Sequence, residues 1–145
     1  MTTDTSEKGL ESLIVADMTG RSATSPTAAG AAGDAAQFVG PAGWIQGEPE
    51  TYDREYTVDL AQLSAFIRAT QPDVVQALDL ENDSPTRRRF LARVQGEVAK
   101  RGVIDIMRHG LQHNQYQIDL FFGTPSPGNK VAEESFAANR FSVTR

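Results

Sequence analysis

Between Gly102 and Gly123 the chain reads GVIDIMRHGLQHNQYQIDLFFG, two runs of alternating apolar residues around a polar turn. In the first run Ile104 and Ile106 share one face, with Val103, Asp105 and Met107 on the other. In the second, Tyr116, Ile118, Leu120 and Phe122 line one face and Gln117, Asp119 and Phe121 the opposite one. A period of two in β-branched and aromatic residues predicts two paired strands. The connection His109–Asn114 carries Gly110 and Asn114, which suits a turn longer than the tightest hairpin. This pairing is the expected start of a sheet, and the flanking segments are its expected cover.

Helical signals precede it. Ser6 is placed to cap Glu7–Met18, in which Leu10, Leu13, Ile14 and Met18 fall at helical spacing before Gly20. Asp59 caps a helix through Leu60, Leu63, Phe66 and Ile67 that ends near Thr70. Pro72 then suits the first turn of a short helix through Val74, Val75 and Leu78. Ser84 and Pro85 open a third helix to Arg101, with Phe90, Leu91, Val94 and Val98 inward and Gly102 just past its end. After the hairpin, Gly123–Lys130 reads as a loop and Val131–Asn139 as a helix with Phe136 inward. Arg140–Arg145 reads as a strand with Phe141 and Val143 facing one way. Trp44–Tyr56 is irregular and then extended. Arg21–Gly43, dominated by Ala, Gly, Ser, Thr and Pro, reads as a flexible insert. The fold class expected is α/β, as a single domain over residues 1–145. A strand that stops at Arg145 with no polar tail leaves an open sheet edge, so the sheet looks cut short.

Charge and composition narrow the chemistry. The formal net charge of −5 gives no global basic field for nucleic acid, so any DNA contact has to be local or come from other parts of a larger protein. Without cysteine, neither a disulfide framework nor a thiolate metal site is possible. No apolar run approaches a membrane span of ~18 residues and no signal-peptide pattern opens the chain, so a cytoplasmic protein with no membrane partner is expected.

Each candidate group has two readings. Glu7 and Glu11 stand one helical turn apart, as paired acids that support a metal or as solvated glutamates on a helix face. His109 and His113 have the i, i+4 spacing of zinc ligands, but Gly110 and the expected turn disfavour that use and no Glu follows His109. Gly123–Lys130 is not an ATP loop, because Asn129 and Val131 break the required pattern and the prolines remove amide donors. Arg87, Arg88 and Arg89, near the start of a helix, are a solvated face or a phosphate-contacting patch. The chain's lysines, Lys8, Lys100 and Lys130, follow Ser6, Val98 and Gly128 by two residues, so no (Asp/Glu)-x-Lys nuclease motif occurs.

From Trp44 onward the sequence resembles the N-terminal region of the restriction (R) subunit of type I restriction–modification enzymes. The residues that carry the likeness are Tyr52-Asp53-Arg54-Glu55, Ala65-Phe66-Ile67-Arg68-Ala69-Thr70-Gln71-Pro72 and Arg89-Phe90-Leu91. They continue as Arg101-Gly102-Val103-Ile104-Asp105-Ile106-Met107-Arg108-His109-Gly110 and Ala138-Asn139-Arg140-Phe141-Ser142-Val143-Thr144-Arg145. Ser6-Glu7-Lys8-Gly9-Leu10-Glu11 also looks like that family's start, and the Ala/Gly-rich insert has no clear counterpart. The specificity lies in the order and spacing of these segments rather than in any one of them.

The resemblance implies part of a restriction-endonuclease-like domain: an N-terminal helix, a helical cover, then the hairpin and final strand of a mixed sheet. It implies a supporting metal-site acid on the first helix, at Glu11 with Glu7 as runner-up, and catalytic Asp and Glu-x-Lys residues beyond the Asn-Arg-x-x-Val-Thr-Arg segment. The intact subunit so implied is ATP- and Mg2+-dependent, cleaves double-stranded DNA and works with modification and specificity subunits. This chain, without that cutting centre or the translocase motor, is expected to be inactive alone and to hold neither metal nor ATP. Arg87, Arg88 and Arg108 are its candidate DNA contacts. The alternative is a stand-alone protein-interaction module or remnant of a truncated gene; a small enzyme using His109 and His113 is a third reading.

Overall fold

The structure, a computed structural model, describes residues 6–20 and 43–145. The first five residues and almost all of the expected flexible insert Arg21–Gly43 lie outside the described residues. The elements in chain order are α1 (Glu7–Thr19), β1 (Trp44–Gln46), β2 (Tyr52–Asp53), β3 (Val58–Asp59), α2 (Leu60–Thr70) and α3 (Val75–Leu78). There follow α4 (Pro85–Arg101), α5 (Val103–His109), β4 (Leu111–His113), β5 (Tyr116–Ile118), α6 (Lys130–Ala137) and β6 (Phe141–Val143). The chain is thus mixed α/β, in two compact units: the residues up to Tyr52 with Arg140–Arg145, and Asp53–Asn139.

In the first unit Ser6 caps α1 as expected, its Oγ accepting the Gly9 N–H at 3.1 Å. Gly20, at φ +68°, ends the helix in the left-handed conformation. The face α1 buries is not its apolar stripe. Leu10, Leu13 and Ile14 are 57, 46 and 49% exposed, while Gly9 and Thr19 are buried and Ser12 and Ala16 half-buried. Gly9, Ser12, Ala16 and Thr19 share one helix face, so the covered side of α1 carries small side chains, and α1 packs beside β1. β1 pairs in parallel with β6, Ile45 opposite Ser142, and Gly47 extends the ladder through a 3.0 Å bond to the Val143 carbonyl. Ile45 is buried, whereas Trp44 and Phe141 stack at a tilt with ring centroids 5.6 Å apart.

The second unit has its own core. Phe66, Ile67, Val74, Leu78, Leu80, Phe90, Leu91, Leu111 and Ile118 form one buried cluster, edged by half-buried residues that include Leu63, Val94 and Phe122. The helices contribute as their patterns predict. Asp59 Oδ1 caps α2 through the Gln62 N–H at 3.3 Å, and Ser84 Oγ caps α4 through the Arg87 N–H at 3.2 Å, with Pro85 in the first turn.

The hairpin is where the alternation misled. Val103–Met107, expected as a strand, lies in the helix α5, which runs on to His109. It buries Ile106 at 1% exposure and leaves Val103 and Ile104 outside, so its apolar alternation marks no sheet face. The hairpin itself is β4–β5, Leu111 opposite Ile118 and His113 opposite Tyr116; β5 lies in the run expected as the second strand, and β4 is made from residues expected as the turn. Asn114, at φ +53°, begins its tight connection, a backbone state Asn tolerates. Among the described residues β6 pairs with β1 and β4 with β5, in separate two-stranded sheets, so the expected mixed sheet of hairpin and final strand is not found there. Phe136, expected inward on α6, is 41% exposed.

Candidate functional site

Glu7 and Glu11 lie on the exposed side of α1, where Glu7 also favours the positive end of the helix dipole. Among the described residues no group of three or more His, Asp or Glu side chains could hold a metal ion.

The arginines at the start of α4 are tied to one carboxylate. Arg87 Nη2 is 2.9 Å from Asp83 Oδ1, and Arg88 Nη2 is 3.0 Å from both Asp83 oxygens. Asp83 immediately precedes the Ser84 cap, so it offsets the cost of cations at a helix N-terminus. The Arg87 side chain is 16% exposed and the Arg88 side chain 58%, so of the two Arg88 has the greater access to solvent. Arg108, the third candidate, is exposed on α5, and among the described residues no ion pair links it to Arg87 or Arg88. A second carboxylate is drawn in upstream: hydrogen bonds from Ser84 and then Asn82, with the Arg87 charge behind them, hold the Asp79 carboxyl below its usual range.

A longer charge ladder runs from α4 into α5 at intervals of four residues. Arg93 Nη1 is 3.3 Å from Glu97 Oε1, and Arg101 Nη1 is 3.2 Å from Glu97 Oε2. Arg101 Nε reaches Asp105 Oδ2 at 2.6 Å, and Asp105 Oδ1 lies 3.2 Å from His109 Nδ1. Arg101 also donates to the Gly110 carbonyl at 3.2 Å, so one guanidinium ties the end of α4 to both ends of α5. Its hydrogen bond holds Asp105 well ionised, and the bonds to Asp105 and Glu97 raise its own pKa in return. Glu97, whose side chain is 9% exposed, is the buried centre of the ladder.

The two histidines serve different surroundings. His109 is 65% exposed at the C-terminus of α5 and leans on Asp105. His113 is buried in β4, its ring edge-on to Phe90 with centroids 5.4 Å apart. Burial, then the nearby Arg93 and Arg89 charges, push His113 below the ordinary imidazole value. It is a core histidine held neutral.

Two residues that sequence reasoning did not single out as structural clasps hold the segment that follows β5. Gln71 Nε2 donates to the Asp119 carbonyl and its Oε1 accepts the Asp119 N–H, both at 2.9 Å. Asn139 does the same for Phe122, donating to the carbonyl at 2.7 Å and accepting the N–H at 3.0 Å. A carboxamide carries one donor and one acceptor in the relative positions of a backbone peptide, so it substitutes for a neighbouring strand. The available signal was a Gln and an Asn at helix ends, too common to be read alone.

No family model, curated protein or solved structure matches this chain. No helix among the described residues is long and apolar enough to cross a membrane.

Proposed function

We propose that the chain is the N-terminal portion of the DNA-cleaving subunit of a type I restriction enzyme, within a restriction-endonuclease-like domain whose Asp and Glu-x-Lys residues are supplied from outside these 145 residues. The observation that carries the reading is the ordered series of resembling segments from Tyr52 to Arg145. What supports it further is the work those segments do. Asp53 Oδ1 accepts the N–H groups of Glu55 and Tyr56 and so sets the turn after β2. Gln71 clasps Asp119, Arg101 joins α4 to α5, Gly110 turns the chain into β4, and Asn139 clasps Phe122. Residues that match in order and also fix turns and junctions are those a shared domain architecture would need.

In this proposal Glu11 is a supporting acid for Mg2+ held chiefly by carboxylates beyond Arg145, with Glu7 as its runner-up. ATP serves the motor of the intact subunit. The DNA contacts expected of this portion are Arg108, Arg88 and Arg87, and the modification and specificity subunits are its partners. The purified 145-residue chain, incubated with plasmid DNA and Mg2+, is expected to leave the DNA uncut. Cleavage that disappears in Glu11→Ala would overturn the placement of the cutting centre.

A stand-alone interaction module is the second reading. It is favoured by the closed core of Asp53–Asn139, in which Leu78, Phe90 and Ile118 are 0% exposed. A cooperative thermal melt together with a stoichiometric complex with the modification subunits, in cells that make no longer product, would select it.

A further inference from the structure

Gly123–Ala138 leaves its unit's core at Phe122 and returns at Asn139. Its first part is a loop with Pro125 and Pro127; its second is α6, none of whose residues is buried. Val131 is 74% exposed and Phe136 41%. The hydrogen bonds of the segment turn inward on itself. Asn129 Oδ1 accepts the Ala132 N–H at 3.2 Å, Glu133 Oε1 accepts the Gly128 N–H at 3.1 Å, and the Ser126 carbonyl accepts the Asn129 N–H at 3.3 Å.

The two ends are fastened by a single side chain. The Asn139 carboxamide makes both hydrogen bonds of the Phe122 peptide groups, and Phe122 is itself anchored, its ring 5.9 Å from Phe66 of the core. We propose that Gly123–Ala138 is a strap that opens as one unit, with the Asn139 carboxamide as its latch and Phe122 as the fixed catch. A segment with little buried apolar surface, self-contained hydrogen bonds and closure at one point opens at lower cost than the whole fold. Once released from the core, an eight-residue helix is too short to persist in water, so opening exposes the α6 amides together.

The latch has a chemical signature. In Asn139→Asp the carboxylate still accepts the Phe122 N–H, but its second oxygen faces the Phe122 carbonyl and repels it. Protonation turns that oxygen into an O–H donor and restores both bonds. The test is amide hydrogen exchange along the whole chain, as protection factors corrected for intrinsic rates, for wild type and Asn139→Asp at pH 7 and pH 4. In wild type the α6 amides are expected to be at least about tenfold less protected than those of Phe90–Val98 in α4. In Asn139→Asp at pH 7 they fall by roughly a further tenfold, while α4 keeps its protection, and at pH 4 most of the loss is recovered relative to wild type. Equal protection of α6 and α4 in wild type would overturn the proposal, as would joint loss from both helices in the variant. An unchanged α6 in Asn139→Asp at pH 7 would overturn the latch.

Discussion

Gln71 and Asp119, 48 residues apart, exchange two hydrogen bonds of 2.9 Å, the Gln71 carboxamide satisfying both backbone groups of Asp119. This places the end of α2 against the segment leaving β5, where the chain bends at Leu120. Gln71→Ala leaves a half-buried N–H and carbonyl with no replacement. It is expected to lower stability by about 1–3 kcal/mol. Urea denaturation measures this, and Gln95→Ala, which removes one exposed bond to the Glu55 carbonyl, is the smaller-effect control.

Gly110 tolerates no side chain. It sits at φ +63° and ψ −165°, a region reserved for glycine. A Cβ there would lie 2.4 Å from the Ile118 carbonyl oxygen, a backbone atom of the hairpin, and 2.6 Å from Gln117 Nε2. Gly110→Ala is expected to cost about 3 kcal/mol or more. Gly102→Ala is the comparison: its φ is also positive, at +85°, but a Cβ meets nothing within 4 Å, so strain acts there without collision. A Gly110→Ala midpoint no lower than that of Gly102→Ala would contradict the packing described.

His113 makes stability pH-dependent. Unfolded, its imidazole titrates near 6.5; folded, burial and then Arg93 and Arg89 bring that value down. Between the two values the unfolded chain binds the extra proton. The contribution is therefore complete above pH 6.5 and declines as pH falls toward the folded value. Replacing His113 with Leu should flatten this part of the profile, measured as chemical denaturation midpoints from pH 7.5 to 5. The same slope in both proteins would assign it to other groups.

The Glu97 ladder and the Asp83 pair are predicted to differ in energetic weight. Glu97 is nearly enclosed between Arg93 and Arg101, so Glu97→Ala leaves two guanidinium groups without their shared carboxylate and is expected to cost about 1–3 kcal/mol. Asp83 is 65% exposed, where solvent screening reduces such pairs to about 1 kcal/mol or less. Thermal or urea melts of Glu97→Ala and Asp83→Ala give the ranking, and a larger loss for Asp83→Ala would reverse it.

The parts of the fold legible in sequence were those where a local signal and the tertiary outcome coincide. Ser84 and Pro85 start α4 and Gly102 follows its end, because a cap and a chain break act within a turn of where they stand. The strand expected over Val103–Met107 failed for a physical reason: an apolar alternation that short does not separate strand from helix. The competing signal was present in Arg93, Glu97, Arg101, Asp105 and His109, whose four-residue spacing runs unbroken from α4 into α5. In α1 the larger residues Leu10, Leu13 and Ile14 suggested the inward face, but the covered face carries the smaller Gly9, Ser12, Ala16 and Thr19. Of the candidate site residues, exposure of Glu7 and Glu11 follows from their charge, whereas the sharing of Asp83 by Arg87 and Arg88 depends on how the chain turns into α4.

The most direct test of the proposed function is a cleavage assay on the native protein that carries Glu7–Arg145, isolated from its own cells together with the modification and specificity subunits that the proposal calls for. The account predicts a chain much longer than 145 residues that cuts double-stranded DNA when both ATP and Mg2+ are present and loses activity in Glu11→Ala. A native product of 145 residues, binding its partners with no cleavage under any of these conditions, would contradict it.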